Sequence, residues 1–202
     1  CVLPFHIPAN AHLLSVLGWL SDAAADFGKK ELSELATKLS LEISDGIRNH
    51  GYIGDRMAYE VDGLGNAVDL DDPNVPSLLA LPYLGWCSSE YFKYQNTREH
   101  ILSREHKMFV RGLAVEGISS SHTPERNIWL LALAIQGLTT DDKNEQTYLL
   151  ETLEAITAGT NHNHESVNVD DPTQYTRPWF SWADMTYFHL ALKVHGLSEL
   201  PD

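Results

Sequence analysis

Three long polar segments interrupt a chain whose apolar period is otherwise helical, and this alternation constrains the fold more than any other feature. Leu32, Leu35, Leu39, Ile43 and Ile47 recur at steps of three and four residues, and Gly51 supplies a stop. The same period predicts helices near 10–27, 30–49, 76–86, 89–103, 126–138, 143–158 and 178–195. Pro124 stands just before the fifth and Pro178 opens the seventh, both favourable places for proline. No convincing alternating strand appears, although the loops have room for short ones.

Helices one and two, three and four, and five and six are joined by a few residues each. Between the pairs lie residues 50–75, 104–125 and 159–177. In an antiparallel row every second connection emerges at the same end, so the three long loops are expected on one face. Loops of this length in a compact domain are usually functional. The expected class is all-α. Such hairpins stack as an open solenoid or close into an α/α toroid. The run Ile128, Trp129, Leu130, Leu131, Leu133, Ile135 suits an inner-ring helix buried all round.

Charge narrows the partners. Twenty-eight acidic and 14 basic residues give a formal charge of −14. That excess repels phosphate backbones and anionic lipid heads, so a nucleic-acid partner is not expected and a neutral substrate is compatible. No apolar run reaches the roughly 18 residues of a membrane span, so no membrane insertion is expected in this segment. Cys1 and Cys87 form neither a disulfide framework nor a metal-type pair, and they leave the compartment open. The chain starts at Cys1 inside what reads as ordered sequence, as a fragment or processed product would.

The unusual polar residues sit in the long loops. The first holds Tyr59-Glu60-Val61-Asp62-Gly63-Leu64-Gly65-Asn66, then Asp69-Leu70-Asp71-Asp72-Pro73-Asn74-Val75-Pro76. Clustered acids bind sugar hydroxyls or metals, while Asp72 or Asn74 can equally cap a helix beginning near Pro76. Asp69-Leu70-Asp71-Asp72 also matches a D-x-D-D pattern used to protonate isoprenoids in some terpene cyclases, an alternative that leaves the third loop unexplained. The second loop ends in Ser121-His122-Thr123-Pro124, where the hydroxyls suit a cap and His122 can reach a ligand. Trp129 and Gln136 fall on one helix face, with Trp129 either core or platform.

The third loop carries the most. Asn163-His164-Glu165-Ser166 and Asp170-Asp171-Pro172 lead into Thr176-Arg177-Pro178-Trp179-Phe180. Glu165, flanked by His164, can act as a base that activates water. Arg177 can hold that carboxylate or a substrate oxygen by a forked contact, or simply pin the loop. Trp179 and Phe180 offer flat faces for the C–H faces of sugars. Carboxylates beside aromatic faces are what glycoside hydrolysis needs. His162, His164 and Glu165 lack further ligands at diagnostic spacing, so no metal is expected.

These blocks together resemble family 125 glycoside hydrolases, the exo-acting α-1,6-mannosidases. The match runs through Ile7-Pro8-Ala9-Asn10, Tyr59 to Asn66, Asp71 to Leu79, Leu81-Pro82-Tyr83-Leu84-Gly85 and Asn96-Thr97-Arg98. It continues through Ile101-Leu102-Ser103, Ile128-Trp129, Gln136-Gly137-Leu138-Thr139, Ala158-Gly159-Thr160, His164-Glu165-Ser166 and Asp170 to Phe180. The resemblance implies an (α/α)6 barrel, inversion of the anomeric centre, no cofactor and no metal. It implies Glu165 as general base. Asp62, Asp71, Asp72, Asn74, His122, Trp129, His164, Arg177 and Trp179 are the expected substrate-binding set. The substrate implied is a mannose-containing oligosaccharide or N-glycan with a non-reducing terminal α-1,6-linked mannose.

The family's general acid is an aspartate in a Ser-Asp-Asp segment just upstream of the part matching Cys1 to Asn10. Residues 1–202 therefore read as the C-terminal part of a single barrel domain, with the N-terminal half of the same barrel as partner, and alone they are expected to be inactive. The sequence departs from the family pattern at Ser121, at Leu130 and over residues 161–163, which bears on the aglycone side. The competing reading is a carbohydrate-binding or scaffold module that kept the fold and lost catalysis.

Overall fold

The computed structural model describes residues 2–197. They form two compact units, one built on residues up to Asp71 with Pro76–Arg98, the other on Asp72–Val75 and the chain from Glu99 onward.

In the first unit, α1 (Ile7–Asp26) and α2 (Lys30–His50) form a helical hairpin. Pro8 lies in the first turn of α1, where its missing N–H costs nothing. The turn needs Gly28, whose φ of +67° is left-handed. Lys29 N then donates to Ala24 O at 2.7 Å. Ala11, Leu17 and Ala24 of α1 are buried with Ala36 and Ile47 of α2. Gly51 ends α2, its N–H donating to Ile47 O at 2.8 Å, as the sequence led one to expect.

Short strands follow. β1 (Phe5–His6), β4 (Glu60–Val61) and β5 (Ala67–Val68) make one antiparallel sheet, and β2 (Tyr52–Ile53) pairs with β3 (Arg56–Met57). The Glu60 carboxylate is buried and accepts the amides of Val2 and Leu3 at 2.6 and 2.8 Å. Helix α3 (Phe92–Ile101) closes this part of the chain. Its Thr97 hydroxyl accepts Met57 N at 2.8 Å, and its Tyr94 hydroxyl donates to Leu79 O at 3.0 Å.

The helix expected over residues 76–86 is absent; that segment is a succession of tight turns. Pro82 is the reason. It has no N–H to donate and its ring clashes with the carbonyl four residues back. The turns close instead through Ala80 N to Ser77 O, Leu84 N to Ala80 O and Gly85 N to Pro82 O. Asp71 fastens the entry, accepting Leu78 N and Leu79 N at 2.8 and 3.0 Å.

In the second unit, β6 (Phe109–Arg111) pairs with β7 (Glu116–Ile118). A second antiparallel sheet has the order β10 (Tyr175–Thr176), β9 (Ser166–Asn168), β8 (Asn127–Trp129). Helices α4 (Leu130–Leu138), α5 (Lys143–Ala155) and α6 (Ser181–Val194) pack against one another. All of α4 except Gln136 is buried, as its continuous apolar run requires. The predicted start at residue 126 is four residues too early: Asn127–Trp129 is a strand paired to β9, and Trp129 is the N-cap of α4. Pro178 likewise does not open α6, which begins three residues later behind Phe180. The described residues thus hold six helices and ten short strands, a helix-rich fold rather than an all-α one.

One knot ties the loops of this unit. Arg126, at φ +63°, donates from Nε and Nη2 to Asp170 Oδ2 at 2.8 and 2.6 Å. Leu113 N donates to Asp170 Oδ1 at 3.0 Å. Ala114 N and Val115 N both reach Val169 O, at 2.9 and 3.1 Å. Gly112 lies so close to Val169 that a Cβ there would overlap its backbone. Gly112→Ala is therefore expected to destabilise the protein by about 1–3 kcal/mol, the usual cost of overpacking, in denaturant titration. The Arg126 guanidinium, then the Leu113 amide, hold the Asp170 carboxyl below the usual carboxylate range. A lowered folded-state value stabilises the fold above the unfolded carboxyl's titration, near pH 4, and that contribution is lost as pH falls through the folded value. Asp170→Asn should accordingly melt lower than the parent at neutral pH, and the gap should close on acidification below about pH 4.

Candidate active site

The β9–β10 hairpin sets the site by register. Thr176 pairs with Ser166 and Tyr175 with Val167. One step further along this ladder, Arg177 stands opposite Glu165, and one more sets Pro178 opposite His164. The contacts follow that order. Arg177 Nε lies 3.1 Å from Glu165 Oε1. The His164 ring meets the Pro178 carbonyl at 3.0 Å, a bond that needs the proton on Nδ1.

Glu165 is held at both oxygens. Thr176 Oγ1 donates to Oε2 at 3.0 Å, while Arg177 faces Oε1. The Glu165 side chain is 13% exposed and that of Arg177 64%. Arg177 adopts φ +46°, a left-handed conformation that costs a non-glycine residue about 1 kcal/mol or more. That turn carries the chain off the strand while the guanidinium reaches back across to the carboxylate. It also lies 5.6 Å from the Phe180 ring centre, a cation–π contact.

Glu165 opens into a cavity of about 720 Å³ lined by Asn74, His122, Trp129, Glu165, Arg177, Trp179, Phe180, Ser181 and Trp182. All nine belong to the second unit. Glu165 is the single carboxylate among them. The aromatic wall is interlocked: Trp129 meets Phe180 edge to face at 6.0 Å, and Phe180 is tilted on Trp182 at 5.5 Å. Trp129 Nε1 donates to Thr123 Oγ1 at 3.1 Å, so the indole is fixed by the loop that carries His122. Trp129 is both core and wall, being 4% exposed, whereas Trp179 is 70% exposed at the rim.

The expected residues divide. Asn74, His122, Trp129, Glu165, Arg177 and Trp179 come together around this cavity. Asp72 stands behind Asn74: its Oδ1 accepts Asn74 N at 3.0 Å and its Oδ2 accepts the Ser120 hydroxyl at 2.7 Å. The Asn74 Oδ1 is buried with no hydrogen-bond partner among the described residues. His164 is not among the lining residues. It is fully buried, stacked on Tyr175 with ring centres 3.7 Å apart. Asp62 and Asp71 belong to the first unit. Asp62 organises a turn by accepting Leu64 N at 2.7 Å and Asn66 Nδ2 at 2.6 Å. Among the described residues no three His, Cys, Asp or Glu side chains gather as a metal site.

Several contributors escaped sequence reading. Ser181 and Trp182 line the cavity beside Phe180, whose flat face the sequence had offered. Thr176, Ser166 and Asn127 sit behind Glu165. The alternation of side chains along paired strands would have found Ser166 and Thr176 had β9 and β10 been recognised.

A family model for metal-independent α-mannosidases matches residues 1–192. The "Meiotically up-regulated gene 157 protein" of Schizosaccharomyces pombe is 41% identical over 200 residues, covering 96% of this chain and 39% of that protein. A solved Streptococcus pneumoniae metal-independent α-mannosidase, in a non-productive complex with α-1,6-mannobiose, superposes with a TM-score of 0.95 at 45% identity. That match covers 98% of this chain and 48% of the other. A bacterial glucoamylase complexed with acarbose is similar in fold, with a TM-score of 0.74 at 16% identity over 94% of this chain and 33% of its own. The chain thus spans less than half the length of these relatives. The family match over nearly all of its residues, with the fold and sequence likeness to the pneumococcal enzyme, makes the chain a member of glycoside hydrolase family 125, the metal-independent α-mannosidases.

Proposed function

We propose that the protein containing these residues is an inverting exo-α-mannosidase that removes non-reducing terminal α-1,6-linked mannose from oligosaccharides or N-glycans, with Glu165 as general base. The observation that carries this reading is the placement of Glu165, the cavity's single lining carboxylate, among four aromatic side chains and an arginine. An ionised carboxylate oriented by Thr176 and Arg177 can take a proton from water as that water attacks the anomeric carbon. Trp129, Trp179, Phe180 and Trp182 supply faces for sugar C–H groups. The unpartnered Asn74 carbonyl, His122 and Arg177, with Asp72 behind Asn74, complete the proposed binding set, and His164 acts by anchoring the loop. The α-1,6-mannobiose held by the pneumococcal relative supports the linkage.

Inversion needs a second carboxyl, the acid, about 6.5–9.5 Å from the base. The cavity lining supplies none, so we place the acid in another segment of the protein. We further propose that residues 1–202 are the C-terminal part of an (α/α)6 barrel whose remainder covers the apolar side chains exposed on α1, α2 and α6. These include Leu13, Val16 and Trp19, Leu32, Leu35 and Leu39, and Trp182, Met185 and Phe188. The single carboxylate equally favours a second reading for these residues taken alone, a sugar-binding module without turnover.

Glu165→Gln in the full-length protein should lower kcat on α-1,6-mannobiose by about two to four orders of magnitude while substrate still binds. Unchanged kcat would show that another group is the base. Proton NMR of the parent reaction should show β-mannose as the first product; α-mannose first would mean retention and two carboxyls acting differently. Residues 1–202 expressed alone should bind a hydrophobic dye or self-associate in light scattering, because contiguous exposed apolar patches invite association. A monodisperse monomer that binds no dye would contradict the half-barrel reading.

A further inference from the structure

Behind Glu165 lies a row of three side chains from three different strands. Thr176 Oγ1 is 3.0 Å from Glu165 Oε2, Ser166 Oγ is 2.7 Å from Thr176 Oγ1, and Asn127 Nδ2 is 3.0 Å from Ser166 Oγ. Asn127 is 4% exposed and Ser166 fully buried, so water does not compete for these groups.

The direction of the row follows from its carboxylate end. An ionised Glu165 only accepts, so Thr176 must spend its one proton on it. Thr176 can then only accept from Ser166. Ser166, its own proton spent, can only accept from Asn127, which must present its NH2. Each bond polarises the next in a low-dielectric interior.

We infer that Asn127, Ser166 and Thr176 form a one-way hydrogen-bond chain that positions the Glu165 carboxylate for the attacking water. The inference rests on the reading of Glu165 as the base. The chain is not a proton exit, because it ends at an amide NH2 with no capacity to accept. Its effect is on orientation. A donor bond to a carboxylate weakens it slightly as a base. Fixing its rotamer matters more, since misplacing a reacting group by about 1 Å costs up to about a hundredfold in rate. Arg177 cannot do this alone: its side chain is 64% exposed and grips only the other oxygen. These three are positioning residues, and none touches the reacting atoms.

The test uses the full-length protein and mannose release from α-1,6-mannobiose. Thr176→Val keeps the shape and removes the hydroxyl. It should lower kcat about tenfold or more with KM changed less than about twofold, because the lost arrangement matters in the transition state. Thr176→Ser, which keeps the hydroxyl and loses the methyl, should restore kcat to within about threefold of the parent. Asn127→Asp, equal in size but no longer a donor at the end of the row, should lower kcat several-fold. Melting curves show which variants are folded, and Thr176→Ser, the mildest change, keeps the test open if another fails to fold. A Thr176→Ser protein as slow as Thr176→Val would overturn the inference, because the loss would then follow packing rather than the hydroxyl. So would a folded Thr176→Val with unchanged kcat. Glu165→Gln is run alongside. If it abolishes turnover while Thr176→Val does not slow it, only the positioning chain is wrong; if Glu165→Gln itself is fully active, the base reading falls and this inference with it.

Discussion

The register of a single β-hairpin governs the candidate site. In antiparallel strands, side chains alternate between faces and partners lie directly opposite. Because Thr176 pairs with Ser166, the ladder brings Arg177 to Glu165 and Pro178 to His164. A slip of one residue would exchange these faces and separate the guanidinium from the carboxylate. The hairpin is in turn bonded to β8, whose Trp129 pairs with Ser166, so the aromatic wall is indexed by the same ladder. The knot around Asp170 closes the far end of the arrangement by joining residues 111–115, 126 and 169–170.

Much of this was legible in the sequence, and the exceptions have physical causes. Helices α1 and α2 were marked by an amphipathic period and by a glycine stop. They were found within three residues at the start of α1 and one elsewhere. Residues 76–86 misled because Leu78, Leu79, Leu81 and Leu84 repeat at helical spacing, while Pro82 forbids the hydrogen bonds a helix would need. Asn127–Trp129 misled for the opposite reason: it continues the apolar run of α4, and only its partner β9, almost 40 residues away, makes it a strand. Strands of two or three residues are too short to show an alternating pattern.

The site divides on the same grounds. Glu165, Arg177 and Trp179 stood out because charge beside aromatics is unusual in a loop. Asp170 and Asp171 stood out equally, yet they serve the loop itself: Asp170 binds Arg126, and Asp171 accepts from Thr173 and Gln174. Sequence shows that acids are crowded together, while long-range pairing decides which of them face a cavity. Asn127, Ser166 and Thr176 were invisible because each is ordinary alone and only the ladder assembles them.

The backbone at Arg177 has a wider consequence. A left-handed arginine directly before proline is a conformation the chain adopts against its own local preference. Glycine would take the same turn without the Cβ penalty. Selection for folding alone would therefore favour glycine at this position, at the loss of the guanidinium from Glu165. Keeping arginine there spends thermodynamic stability on the arrangement of a carboxylate. Directed-evolution screens that reward thermal tolerance alone would drift toward that replacement.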